Sequence, residues 1–351
     1  MTEIEKRVRN SFFQQARYCR DMAAPFTAEL CDLLGERLSP AGTIGARVLA
    51  WTGDPEPEHD ALALRLVAGL HALAERDVDP AWTAAYPPAL AMDRASLAAR
   101  LDSVLVRFEA ALLPWLDLPP QTNEVGRSAV LMAGLLTLAS EHGLPFSLFE
   151  LGSSGGLNLV LDRYSYLLGA TEAGAAVSSV RLTPAWTGPS PLPSRVRVVA
   201  RRGVDQSPVD ISSPLGRERL LAYVWADQLD RVRRIRNALN IAAADPPHID
   251  KMDAADWVEK VLLPTGATGV HRVLMHSVAF QYFSDDVKRR VTAQAELVGA
   301  RTSPDAPFSW MRMEQDGSGR FTLRIRTWPG GTDHLLANVH PHGAKIEWTG
   351  A

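Results

Sequence analysis

At 351 residues the chain is too long for one minimal core, which leaves one large domain or two smaller ones. A composition of 46% hydrophobic and 22% charged residues excludes extended disorder, and a net charge of −3 excludes the overall basic footprint that holds a phosphate backbone. The opening Met-Thr-Glu-Ile-Glu-Lys is no basic-apolar leader, and the best apolar run, residues 129–139, falls short of the roughly 20 residues a bilayer span needs. A cytoplasmic protein with neither nucleic-acid nor membrane partners is therefore expected. Cys19 and Cys31 do not form a CxxC pair and read as buried free thiols of a reducing compartment.

Helical spacing runs through the first third. Ile4, Val8, Phe12, Phe13 and Ala16 share a face, as do Leu62, Leu66, Leu70 and Leu73, then Leu97, Leu101, Val104, Leu105 and Phe108. Prolines at 25, 40, 87, 88, 119 and 120 punctuate these segments, and Asp93 stands where an N-cap is expected. Nothing alternates with period two. Residues 1–120 are thus predicted to be a small all-helical domain, and 121–351 a second domain.

That second domain opens with a predicted helix over 123–142, stopped by Gly143 and Pro145. A short strand over 146–151 runs into Gly152-Ser153-Ser154-Gly155-Gly156-Leu157, and a helix is predicted from 158 to 168. A second strand (195–200), a long helix (216–243), a strand (270–278) and a helix (285–298) follow. Strands at 308–313, 321–328, 335–340 and 345–348, separated by turns rich in Gly and Pro, should pair antiparallel. The expected class is α/β, a Rossmann-like mostly parallel sheet ending in antiparallel strands.

The glycine turn is the strongest local signal. Gly152 and Gly156 permit positive φ and close approach of a ligand to the backbone at a strand's C-terminal edge. A dinucleotide site wants GxGxxG, but Ser154 occupies the second glycine's place, and Glu150 would set a carboxylate beside a diphosphate. A carboxylate there suits a cationic ligand better. Downstream, Gly203-Val204-Asp205-Gln206-Ser207-Pro208, Asp253-Ala254-Ala255-Asp256-Trp257 and Arg272-Val273-Leu274-Met275-His276-Ser277 each stand at a predicted strand end.

In that order the four segments resemble the motifs of class I S-adenosylmethionine-dependent methyltransferases. The resemblance implies a cofactor laid across Gly152, Ser153 and Gly156, with Asp205 on the ribose hydroxyls and Asp253 and Ala254 at the adenine. His276 would then stand near the methyl group, with Tyr282 beside it. The chain departs from that pattern in its variant glycine turn, in an insertion over 168–195, and in lacking a last helix between Met313 and Phe321. More closely, it is similar to an uncharacterised bacterial family catalogued as a domain of unknown function. The shared pattern comprises Gln121-Thr122-Asn123-Glu124 with Arg127, the Glu150 to Leu159 stretch, Tyr223-Val224-Trp225-Ala226-Asp227-Gln228, His276-Ser277 and His340-Pro341-His342-Gly343.

Several residues admit two readings. Glu124 and Arg127, one turn apart, form either a surface ion pair or a clamp on a cofactor carboxylate. Asn158 caps a helix or donates to the ligand. His276 is either a general base or a histidine satisfied by its neighbours. His340 and His342 flank a proline, which suggests a hairpin turn rather than a metal site. Arg231, Arg233, Arg234 and Arg236 read as a salt-bridged helix face with Asp227 and Asp230. The expected function is S-adenosylmethionine binding, with methyl transfer to a small molecule first. A non-catalytic binding or regulatory protein on the same fold is second, and an NAD(P)-dependent oxidoreductase third.

Overall fold

The structure, a computed structural model, describes residues 1–88, 92–262 and 267–350. Its first elements are all helices: α1 (Glu3–Asp21), α2 (Pro25–Arg37), α3 (Thr43–Leu49), α4 (Leu62–Glu75), α5 (Pro80–Thr83), α6 (Arg94–Arg107), α7 (Glu109–Leu116) and α8 (Arg127–His142). Then come β1 (Phe146–Leu151), β2 (Ser165–Leu168), β3 (Thr171–Gly174), β4 (Arg181–Leu182), β5 (Ala185–Thr187) and β6 (Val198–Asp205). The helices α9 (Pro214–Ala222) and α10 (Leu229–Ala243) precede β7 (His248–Lys251), α11 (Ala254–Val261), β8 (His271–Ser277) and α12 (Asp285–Gly299). The chain closes with β9 (Phe308–Gln315), β10 (Phe321–Trp328), β11 (Thr332–Val339) and β12 (Lys345–Trp348).

The chain folds as two compact units, Met1–Thr122 with Ser213–Arg236, and Asn123–Ser212 with Asn237–Ala351. In the helical unit, Thr2 caps α1 by accepting from the Glu5 N–H, and Asp93 caps α6 by accepting from Ser96, as its position predicts. Helix α4 is buried on nearly every side, from Leu62 through Ala74, so it forms the centre of the bundle. The helical unit also takes in Ser213–Arg236, which chain order alone assigns to 121–351. The predicted helix over 216–243 is here two helices. Between them Asp227 leaves the helical path to accept hydrogen bonds from Phe26 N–H (2.6 Å), Thr27 N–H (2.9 Å) and Thr27 Oγ1 (2.6 Å). An aspartate distant in sequence thus supplies the side-chain cap that Ala24 cannot give α2.

The second unit is built on a nine-stranded sheet in the order β5-β12-β11-β10-β9-β8-β1-β6-β7. From β7 to β9 all neighbours are parallel, and β9 through β12 pair antiparallel. The five parallel strands, numbered by their order in the chain, lie 3-2-1-4-5, with the topological switch between β1 and β8. Alternation along β9 divides two faces: Phe308 and Trp310 join the core with Trp257, Val291 and Ala295 of α11 and α12. Met311 points the other way, where its Sδ would lie 2.6 Å from a Cβ at Gly134 of α8.

One predicted element is overturned. No helix follows the glycine turn. Residues 157–161 are buried without a polar face, Leu161–Arg163 form a single 3₁₀ turn, and the chain then extends into β2. Tyr166 and Leu168 point inward with period two, and the hydroxyls of Tyr164 and Tyr166 donate to Leu157 O (2.7 Å) and Leu161 O (2.6 Å). The 168–195 insertion supplies β3 and β4 of a small three-stranded sheet, and then β5. The second strand is displaced too: it runs Val198–Asp205 rather than 195–200, because the pairing with β1 extends to Leu151↔Val204.

Candidate functional site

The glycine turn leaves β1 at the switch point with φ of +66° at Gly152, +53° at Ser154 and +74° at Gly156. The space a Cβ would take is already occupied: one added at Gly152 would lie 2.6 Å from Ala279 Cβ, and one at Gly156 would lie 2.6 Å from Pro247 Cγ. These two glycines therefore serve close packing of the turn against its own sheet, rather than a ligand's approach. Several of its N–H groups have protein acceptors: Ser153 donates to Val204 O (3.0 Å), Ser154 to Asp205 Oδ2 (2.9 Å), Gly156 to Ser153 O (2.7 Å) and Leu157 to Asn123 Oδ1 (3.0 Å). No helix dipole stands behind the turn.

Glu150, the last residue but one of β1, is 2% exposed. Burial pushes its carboxyl up to about 8; Asn158 hydrogen-bonds to it and pulls it down, Asp205 pushes it further up and Arg127 pulls it down. Asn158 Oδ1 accepts from Ser128 Oγ at 2.7 Å, which turns the amide N–H toward Glu150. The other carboxyl oxygen, Oε2, is buried without a partner. Asn158 therefore neither caps a helix nor hangs free; it joins α8 to β1.

Asp205 ends β6, next to β1 in the sheet. Besides Ser154, it accepts from Ser207 N–H at 2.8 Å, so each oxygen already holds one backbone donor. Asp253 lies two residues beyond β7 and caps α11, accepting from Ala255 N–H (2.8 Å) and Asp256 N–H (3.3 Å), with Ala254 buried as the first residue of that helix. Gln206 Nε2 reaches Asp253 Oδ2 at 3.4 Å and links the two strand ends. Glu150, Asp205 and Asp253 thus follow one another across three neighbouring parallel strands.

At the start of α8, Glu124 Oε1 accepts from Gly126 N–H at 2.9 Å. Arg127 donates to Ser277 O at the end of β8 and to Pro341 O, both at 2.9 Å, so its guanidinium ties two segments to α8.

His276 is fully buried and both ring nitrogens are engaged. Trp310 Nε1, which can only donate, lies 3.1 Å from Nε2, so the proton resides on Nδ1 and is donated to Glu314 Oε1 at 2.7 Å. The same oxygen accepts from Ala279 N–H (3.0 Å) and Phe280 N–H (3.1 Å). Burial raises Glu314, but the hydrogen bond from His276 and these amides outweigh it and hold the carboxyl below its usual range. The network fixes Val278, a β-branched residue at φ +52°. His276 is thus a satisfied core histidine, not an available base. Tyr282, its expected companion, is 71% exposed. Glu314, Trp310 and Val278 carried no motif to betray them; only the strand register brings β9 beside His276.

Among the described residues no group of three or more His, Cys, Asp and Glu side chains could hold a metal ion, and no helix is long and apolar enough to cross a membrane. The model of a bacterial family described as an uncharacterized protein conserved in bacteria, DUF2332, matches residues 9–348. The chain belongs to this family. No curated protein and no solved structure matches it.

The segments singled out in the sequence have structural roles inside each unit. In the helical unit, Tyr223 OH donates to Leu118 O (2.9 Å), Gln228 Nε2 donates to Met22 O (3.2 Å), and Trp225 packs edge-on against Tyr18. In the sheet unit, His340-Pro341-His342-Gly343 is the turn joining β11 and β12, with Gly343 N–H on His340 O at 2.8 Å and His342 N–H on His340 Nδ1 at 3.1 Å. The basic face of α10 is paired with acids, Arg233 to Asp230 and Arg236 to Glu75, while Asp227 is engaged with α2.

Proposed function

We propose that the sheet unit binds S-adenosylmethionine or a close nucleoside relative, and that the site serves a small-molecule substrate. The supporting observation is the row of carboxyl groups of Glu150, Asp205 and Asp253 at or just beyond the ends of the first three strands of a 3-2-1-4-5 parallel order, beside a tight glycine turn. Ligands of open α/β sheets bind outside the carboxyl ends of the strands at the switch point. A polyhydroxylated, cationic ligand finds acceptors there, whereas a pyrophosphate meets carboxyl groups and a turn whose Ser153, Ser154, Gly156 and Leu157 amides already have partners. That counts against an NAD(P)-dependent oxidoreductase.

For methyl transfer, the sulfonium supplies the leaving-group activation and the protein supplies position. A second reading, a binding or regulatory protein without turnover, draws on one observation: His276 has no nitrogen to spare for a proton. Melting the protein with S-adenosylmethionine, S-adenosylhomocysteine, NAD and NADP tests the ligand class. A ligand at a hundred times its dissociation constant adds about 2.7 kcal/mol. Stabilisation by the adenosyl compounds alone, reduced in Asp205→Ala, is expected; stabilisation by NAD alone would refute it. Transfer of a labelled methyl group to a metabolite extract separates an enzyme from a binding protein.

A further inference from the structure

The chain has two cysteines in 351 residues, and the fold brings them together in the helical unit. Cys19 lies in the last turn of α1 and Cys31 in the second turn of α2, the two arms of one hairpin. Both are fully buried in one core cluster, with their thiols within hydrogen-bonding reach of each other. An amide donor reaches one of the two sulfurs. Gln15 Nε2 lies 3.4 Å from Cys19 Sγ. Gln15 is 1% exposed, and its amide oxygen has no partner. An apolar side chain would fill that core position without stranding a polar atom, so packing does not explain the glutamine. What the amide does there is donate to a sulfur.

A donor on one thiol favours its thiolate, the nucleophilic form. Consistent with this, the hydrogen bond with Cys31 draws the Cys19 thiol below its usual value despite burial, and the same bond, with burial, raises Cys31. The Gln15 amide, directed at Cys19, makes the pair asymmetric in the sense an attacking and a resolving thiol require.

We propose that Cys19 and Cys31 are a peroxide-responsive dithiol that closes into an intramolecular disulfide, with Gln15 as its positioning residue. The Cys19 sulfur attacks one peroxide oxygen and the O–O bond breaks. The departing oxygen leaves as water with the Cys19 proton, and Cys19 becomes a sulfenic acid. The Cys31 sulfur then attacks the Cys19 sulfur; the S–S bond forms, the S–O bond breaks, and a second water leaves carrying the Cys31 proton. Two thiols lose two electrons and one hydrogen peroxide is reduced to two waters. Because both sulfurs are buried, reaction waits on opening of the hairpin turn, where Ala23 holds φ +57°. The closed disulfide would fasten the same hairpin end that Asp227 and Gln228 grip.

The full-length protein is treated with graded hydrogen peroxide, denatured, alkylated and weighed intact. The expected product has lost two hydrogens, offers no thiol to alkylation, migrates as a monomer without reductant, and reverts with dithiothreitol. Two thiols that stay alkylatable, a disulfide between chains, or oxygen adducts without a disulfide would each overturn the proposal. Cys31→Ser should trap a sulfenic acid at Cys19 that a 1,3-dione probe labels, while Cys19→Ser should label far less at Cys31; equal labelling refutes the assigned order. Gln15→Leu should slow oxidation about tenfold, the loss of one hydrogen bond to the reacting sulfur, and raise the pH at which Cys19 alkylates. An unchanged rate and pH profile would leave Gln15 no part in it.

Discussion

Replacing Glu150 by glutamine should change how stability depends on pH, in a direction set by where that carboxyl sits. An unfolded glutamate titrates near 4.5, and burial pushes folded Glu150 up to about 8. The fold therefore favours the protonated form. Its contribution is full below about 4.5 and is lost as the pH climbs toward 8, so from pH 5 to 7.5 the wild type loses about 3 kcal/mol at this one position. The substituted amide cannot titrate. Its oxygen can keep the bond from Asn158, while its NH₂ takes the place of the unpartnered Oε2, at a cost of about 1–3 kcal/mol that does not vary with pH and cancels between the two conditions. Urea unfolding of both proteins across this range, with hydrogen exchange at the β1 amides, confines the measurement to the sheet unit. The gap between the curves should shift by about 3 kcal/mol in favour of Glu150→Gln as pH rises. Parallel curves, constant to within about 0.5 kcal/mol, would show that Glu150 is neither dry nor raised. Saturating S-adenosylmethionine should flatten the wild-type curve if its cationic groups approach this carboxyl.

Three further outcomes follow from buried groups elsewhere. Asp227→Ala removes three hydrogen bonds at the start of α2 and should cost the helical unit about 2 kcal/mol, read from its melting, with Asp227→Asn costing less. Glu314→Ala leaves the His276 N–H and two backbone amides unpaired and should cost about 3–5 kcal/mol by urea titration, whereas a catalytic-only role would leave stability intact. His271 is pushed down to about 3 by burial and by neighbouring His142. The fold thus favours its neutral form, so its contribution is complete above about 6.5 and falls by about 2 kcal/mol by pH 5, a loss that His271→Phe should abolish. Over that interval Glu150 and His271 oppose each other, so only the variants expose either slope.

Legibility in the sequence tracked burial symmetry. Strands β1, β10 and β12 and helix α12 could be bounded to within a residue because apolar runs there end at Gly, Pro or a capping Ser. Strand β6 was concealed by its own charges. Arg201 and Arg202 sit in the strand because Asp162 and Asp250 take their guanidinium groups, at distances of 2.8 and 2.7 Å, and neither acid is a sequence neighbour. The segment after Gly156 deceived for the opposite reason: Leu157, Leu159, Val160 and Leu161 suit a helix by composition, but all four are buried, which no exposed helix face permits. At the site, the acidic strand ends were visible as residues, while their partners were not. Asn123, Ser128 and Glu314 act across long sequence gaps, and only the strand order brings them within reach.

The absent helix bears on ligand choice more than any residue does. In a dinucleotide fold the helix after the first strand aims its amides and dipole at a diphosphate. Here that span folds into a 3₁₀ turn and a small sheet, and Asp205 holds the Ser154 amide that would otherwise face outward. The switch point is therefore lined by carboxyl groups, with no cationic counterpart on the turn itself. Arg127, the guanidinium that acts on Glu150, is engaged by Ser277 O and Pro341 O. A ligand entering between β1 and β8 gains by bringing hydroxyl or ammonium donors to Asp205, and loses by bringing phosphate. Lys or Arg introduced at Ser154 should accordingly weaken an adenosyl ligand while leaving phosphate-bearing nucleotides unimproved, because a single cation cannot replace the missing helix.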